Sequence, residues 1–128
     1  MIFRLKTSKK TENMFMEIKN KLGITPNILC RIAVSLSLKK EKLTKQEIKK
    51  IYKKIDHQGI EFQRHTLVGE NEVFYKVLME NYCNDHLTDK EFFPIHFKYH
   101  LETGMDNLKS EIEIASNLDS FVKNLINL

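Results

Sequence analysis

The chain is poor in the residues that usually announce a chemistry. Its two cysteines, Cys30 and Cys83, stand far apart with no CxxC, so cysteine spacing suggests neither a metal site nor a disulfide framework. Cys30 falls inside a helical pattern and reads as a small buried side chain. None of the four glycines belongs to a nucleotide loop or a dinucleotide fingerprint. No apolar run approaches the roughly 20 residues of a membrane span. The N-terminus also lacks an apolar signal core followed by a small-residue cleavage site, and together these absences predict a cytoplasmic protein that meets no membrane. Arginine is scarce as well, with only Arg4, Arg31 and Arg64 among 21 basic residues. Such a composition, rich in Lys, Ile and Asn, is what an A/T-rich coding background gives, so the placement of the lysines says more than their number.

What is present fits one domain over residues 1–128, with 41% hydrophobic residues to build a core. The net charge of +4 hides a division. Residues 1–54 hold 15 Lys and Arg against 4 Asp and Glu, a balance of +11, whereas residues 55–128 hold 6 against 13, a balance of −7. The basic part suits phosphates or an acidic protein, and the acidic part suits packing or a protein contact.

The first forty residues organise the chain. Phe3 and Leu5 alternate with Arg4 and Lys6 as in a half-buried strand. Thr7 or Ser8 can then cap a helix whose apolar stripe is Met14, Phe15, Ile18 and Leu22, and which Gly23 ends. Thr25 as N-cap, Pro26 at the first position and an Ile24–Leu29 staple start a second helix, continued by Ile28, Ile32, Ala33 and Leu36. A lone strand leaves its backbone groups unpaired. Either a second copy supplies an antiparallel partner across a twofold axis, making a two-stranded ribbon able to enter the DNA major groove, or the strand pairs within its own chain, with Ile60 to Arg64 as candidate.

Lys9 and Lys10 lie in the first turn of a helix, where the macrodipole disfavours positive charge, a broken rule that hints at an anion nearby. Leu43, Ile48, Ile51 and Ile55 form a sparse stripe behind many lysines, and Thr44 with Glu47 makes a capping box for a short basic helix that is either a phosphate-contacting arm or a solvated face. Gly59 reads as a hinge between the two halves, followed by a connector that buries Phe62 and Leu67. Val73, Phe74, Val77 and Leu78 predict a core helix, and Asp89 a cap for the next. Pro94 either starts a new helix or is tolerated near the N-terminus of one. Leu101, Met105, Leu108, Ile112 and Ala115 predict a helix packed along another, and Leu118, Val122 and Leu125 a last one. The expectation is a mainly α chain: a short N-terminal strand, then a helical bundle, opening on a strand-helix-helix unit.

FRLKTS, GITPNILCRIA, RHTLVGE and HFKYHLETGMDNL resemble, in that order, the DndE family of DNA sulfur modification proteins, most strongly over residues 3–38 and 60–78. The resemblance implies a small, mostly helical, oligomeric DNA-binding subunit with a ribbon-helix-helix-like N-terminal unit, part of a bacterial system that replaces a non-bridging phosphate oxygen with sulfur. It further implies a cysteine desulfurase, a sulfurtransferase-like protein and an ATPase as companions. Within such a system the lack of cofactor motifs places the chemistry on another subunit, so no cofactor, metal or catalytic residue is assigned here.

The expected contacts to intact or nicked duplex DNA are Arg4, Lys6, Lys9, Lys10, Lys19 and Lys21, with Thr25 and Asn27 offering a helix N-terminus to a phosphate. Other readings stay open. His96 and His100 stand four apart on a helix and could share a metal, although the FKY between them lacks the glutamate of a zinc hydrolase. A nickase could hold a divalent ion through Glu70 and Glu72, but residues two apart on a helix do not face one another. An adaptor would bridge the companion proteins through the acidic half and touch no DNA.

Overall fold

In the computed structural model, which describes residues 1–115 and 118–126, strand β1 (Arg4–Lys6) turns Leu5 inward and Arg4 and Lys6 outward, as the alternation predicts. Its partner is β2 (Glu61–Gln63) of the same chain, antiparallel, with Leu5 opposite Phe62 and Lys6 opposite Glu61. Of the two pairings open from the sequence, the structure therefore has the intrachain one and not the twofold ribbon. The order strand, helix, helix stands, but the strand is tied to a segment fifty-odd residues downstream. Thr7 N–H donates to the Ile60 carbonyl at 2.9 Å and Gly59 N–H to the Thr7 carbonyl at 2.8 Å, extending the ladder.

Helix α1 (Lys9–Leu22) is capped by Ser8, whose hydroxyl accepts from Thr11 N–H, and ends at Gly23 with φ of 72°. Helix α2 (Pro26–Leu38) starts at Thr25 as expected and buries Leu29, Cys30, Ala33, Val34 and Leu36, while Ile28 stays exposed. Helix α3 (Lys45–Tyr52) has the predicted Thr44–Glu47 capping box and inserts only Ile48 fully into the core. Gly59 is no hinge. A Cβ on it would lie 2.2 Å from the Ser8 carbonyl oxygen, so the glycine is there to let two stretches of backbone pass.

After β2 come α4 (Arg64–Val68), a 3₁₀ turn (Gly69–Asn71) and α5 (Glu72–Cys83). The core side of α5 is formed by Tyr75, Met79, Tyr82 and Cys83, so Val73, Phe74, Val77 and Leu78, expected in the core, are exposed instead. A long helical run follows: α6 (Asp89–Glu91), a π-helical turn (Phe92–Phe97) and α7 (Lys98–Ile114). Pro94 lies in the π turn, near the start of this run, so the helix tolerates it. Widening the turn relieves the clash of the pyrrolidine ring with the carbonyl four residues back. The cap is Thr88, whose N–H donates to Glu91 at 2.9 Å, and Asp89 is the first helical residue instead. In α8 (Leu118–Ile126) the buried side chain is Phe121; Val122 is exposed, and the side chain of Leu118 lies outside the described residues.

The centre of the molecule is the crossing of α2 and α7. Leu101, Met105, Leu108 and Ile112 are buried as predicted, and at Gly104 the α7 backbone meets that of Ala33 with no room for a side chain. Around the edge, buried Arg64 ties four segments together. Its guanidinium donates to the Ile2 carbonyl at 2.8 Å and to Asp89 at 2.7 Å, pairs with Glu72, and stacks over Phe92 and Phe93 at 5.6 and 5.0 Å. Arg64→Met should therefore lower the unfolding free energy by about 3 kcal/mol, the low end for a broken buried pair. Water can reach the two stranded carboxylates, whose side chains are each 38% exposed. The denaturant midpoint reads this directly.

Candidate nucleic-acid interface

Every lysine and arginine of residues 1–54 is exposed except Lys45, which is half-buried against Glu91 and the His86 carbonyl. The fully buried cations, Arg64 and Lys98, both belong to the acidic half. The charge division in the sequence is thus sharper on the surface, because the basic half shows nearly all of its cations and the acidic half conceals two of its six.

The expected contact residues fall into two groups at opposite ends of α1. At the first end, Arg4 faces Glu61 at 3.4 Å, Lys9 pairs with Glu12, and Lys10 reaches Asp106 at 2.8 Å; Lys6 is exposed beside them. The cations of these pairs are solvent-exposed, and a phosphate can displace their partners at little loss, since surface pairs hold by about 1 kcal/mol or less. At the other end, Lys19 and Lys21 occupy the last turn of α1 and lie exposed beside Thr25. The Thr25 hydroxyl bonds Asn27 Oδ1 at 2.7 Å and caps no backbone N–H; the first turn of α2 carries no acidic residue.

The anion that Lys9 and Lys10 hint at is the protein's own. Glu102, from α7, accepts from Ser8 N–H at 2.9 Å, from the Ser8 hydroxyl at 2.5 Å and from the Thr11 hydroxyl at 2.7 Å. Asp56 accepts from Lys9 N–H at 2.9 Å, and this backbone bond holds its carboxyl below the usual range. The N-terminus of α1 is therefore already filled with negative charge, which leaves the Lys9 and Lys10 side chains as its available groups. Beneath lies Lys98, whose ammonium donates to the Asp56 carbonyl at 2.7 Å and to His57 Nδ1 at 2.6 Å; burial pushes its pKa down to about 8. None of Glu102, Asp56 or Lys98 was singled out by sequence reasoning. The available signal was Thr11, a polar residue on the buried side of α1 that had to find a partner.

The catalytic candidates have other surroundings. Glu72 is held by Arg64, and Glu70 sits exposed in the preceding 3₁₀ turn. His96 and His100 are buried; His100 Nδ1 bonds the Ser37 hydroxyl at 2.8 Å and its ring meets Tyr82 and Tyr99 edge-on. Burial pushes Cys30 well above its ordinary pKa, as suits an inert core thiol.

A family model described as "DNA sulphur modification protein DndE" matches residues 4–116, from the first residue of β1 to just past the end of α7. The chain belongs to the DndE family. The crystal structure of DndE from Escherichia coli B7A, involved in DNA phosphorothioation modification, superposes with a TM-score of 0.65 at 23% identity over 84% of this chain and 96% of that one. A DndE double mutant with lysine in place of glycine gives 0.62 at 23% identity over 84% and 97%. At this identity the likeness is one of fold, and it agrees with the mainly helical architecture and short strand pair described above. A search of curated proteins finds no match. DndE membership sets the chain in DNA phosphorothioation; among the described residues no helix is long and apolar enough to cross a membrane.

Proposed function

We propose that this DndE protein is a non-catalytic, oligomeric subunit that binds the phosphate backbone of intact or nicked duplex DNA through its basic half, beside the sulfurtransferase-like and ATPase subunits. The observation that carries this reading is the exposure of fourteen of the fifteen cations in residues 1–54. A folded protein gains nothing in its own stability by displaying fourteen cations from one stretch of chain, whereas each phosphate neutralised releases counterions. Lys10 and Lys21 lie eleven residues apart on α1, on the same face of the helix and about 16 Å apart along its axis, a span comparable to the roughly 12 Å width of the major groove. One group can thus meet phosphates on each side of a groove. The N-terminus of α2, free of acids and of a side-chain cap, adds backbone donors at the second group. With only Arg4 and Arg31 in this half and lysine elsewhere, contact to phosphate and not base reading is expected.

The test is binding to labelled intact duplex, nicked duplex and single strand across a salt series. Lys19→Glu with Lys21→Glu, and separately Lys9→Gln with Lys10→Gln, should each weaken duplex binding by about 10- to 100-fold near 100 mM salt and lower the log–log salt slope by about two. An unchanged slope in both pairs would remove the basic half from the interface. No binding at low salt would make the protein an adaptor whose companions hold the DNA.

A further inference from the structure

The duplex contacts named above leave out the lysines around α3. Residues 39–54 hold 8 Lys against 2 Glu, a balance of +6, so the potential around this helix attracts anions. A cleft of about 270 Å3 opens at the first turn of α3, just under the roughly 300 Å3 from which small-molecule sites begin. Lys45, Gln46 and Lys49 line it together with Asp85, Glu91 and, from the π-helical turn, His96. His96 is 2% exposed, and its Nδ1 has no hydrogen-bond partner among the described residues. Buried polar groups are nearly always paired, so a group that enters the cleft can supply what this ring lacks.

The other lining residues say what kind of group that is. Lys45 is already committed: its ammonium lies 2.9 Å from Glu91 and 4.0 Å from Asp85 and donates to the His86 carbonyl at 2.8 Å. It offsets much of the acid beside it, and Lys49 is left as the exposed cation of the cleft. The N–H groups of Lys45 and Gln46 have no partner within the helix, since the capping box takes only that of Glu47. Together with the helix dipole these donors favour an anion.

We propose that this cleft binds a sugar phosphate, its phosphate monoester seated on Lys49, the N-terminus of α3 and His96, and its sugar hydroxyls donating to Asp85 and Glu91. A monoester has three terminal oxygens, one for each of the three donors. A phosphodiester inside a duplex has two, and it lies on a convex surface that does not enter a cleft. The carboxylates discriminate against inorganic phosphate, which meets their charge without bringing a sugar to them. The site is separate from the duplex contacts on β1 and α1 and does not depend on them. The same chemistry is carried by free sugar phosphates and nucleotides and by the phosphorylated 5′ end of a nucleic-acid strand.

Proton–carbon NMR of the histidine rings, on the full chain, follows His96 while ribose 5-phosphate, inorganic phosphate or ribose is added to about 20 mM. Ribose 5-phosphate should shift the His96 signals saturably, with a dissociation constant of about 1 mM. A bound dianion should also move the titration of this ring upward from about 4, where burial holds it. Inorganic phosphate should bind about fivefold more weakly or worse, and ribose should leave His96 unmoved. Lys49→Glu should weaken binding by about tenfold or more, whereas Lys50→Glu, at an exposed neighbour that does not line the cleft, should change it by less than about threefold. A hexanucleotide with a 5′-phosphate that shifts His96 where its 5′-hydroxyl counterpart does not would assign the site to strand ends. A response to ribose 5-phosphate alone would assign it to free sugar phosphates. Unmoved His96 signals in every titration overturn the proposal, as do equal losses from the two substitutions or equal binding of inorganic phosphate and ribose 5-phosphate. Each of these outcomes leaves duplex binding through α1 untouched.

Discussion

Gly104→Ala is expected to lower the unfolding free energy by about 4 kcal/mol or more, a large share of the stability of a domain this size. The added methyl carbon would lie 1.7 Å from the Ala33 carbonyl oxygen, 2.3 Å from its carbonyl carbon and 2.8 Å from its Cα. All three atoms are backbone of α2, so no rotamer change relieves the overlap. The two helices must separate, and they carry the largest part of the core between them. Gly23→Ala is the contrasting case. Nothing lies within 4 Å of its Cβ position and only the left-handed φ of 72° is strained, so about 1 kcal/mol is expected. Urea unfolding followed by circular dichroism compares the two; equal effects would mean that the α2–α7 crossing yields more readily than a packed interior should.

Acid should destabilise the fold before any carboxylate titrates. Burial pushes His96 down to about 4 and His100 down to about 3, and His96 Nδ1 and His100 Nε2 have no hydrogen-bond partner among the described residues to share an added proton. Both rings are neutral in the folded protein, while in the unfolded chain they take up protons near pH 6.5. Below that point the unfolded state binds more protons, so stability falls with pH, by up to about 1.4 kcal/mol per pH unit for each ring. Between pH 6.5 and 4 the loss is on the order of 5 kcal/mol. Glu91 acts in the same direction lower down. The Thr88 N–H and then Lys45 hold its pKa to about 2, so its contribution is present above about pH 4.5 and lost as pH falls towards 2. Urea midpoints at pH 7, 6, 5 and 4 give the slope, and His100→Gln should roughly halve it. A flat profile from pH 6.5 to 4.5 would mean that the buried rings are charged or solvated in the native protein.

Local signals are mostly legible in the sequence where their partners lie within four residues, the cap at Thr88, one residue before the expected Asp89, being the exception. Ser8, Thr25 with Pro26, and the Thr44–Glu47 box start the expected helices, and Gly23 ends one, because a cap is decided by groups one turn away. Long-range choices were less legible. The alternation of β1 showed which side chains turn inward but not which strand lies beside it. The apolar residues of α5 surround the helix, and periodicity alone does not say which side the core takes. Gly59 and Gly104 look alike as breaks in a pattern, although both are points of close backbone approach. At the candidate interface, the exposure of Lys6, Lys9, Lys10, Lys19 and Lys21 was legible from their place on β1 and α1. The carboxylates of Asp56, Glu102 and Asp106 that surround the first group come from distant parts of the chain and left no local trace.

The bonds from Ser8 to Glu102 span 94 positions. Their consequence concerns modularity. A fragment ending at Lys54 would carry all the positive charge of the proposed DNA reader and none of the machinery that aims it. It would lack the β2 strand that fixes β1, the α7 backbone that seats α2 and the carboxylate that anchors α1. The line where the charge changes sign is therefore no seam along which the protein could be cut, grafted or exchanged, and a lineage can retune its lysines freely only while the acidic half stays in place to hold them.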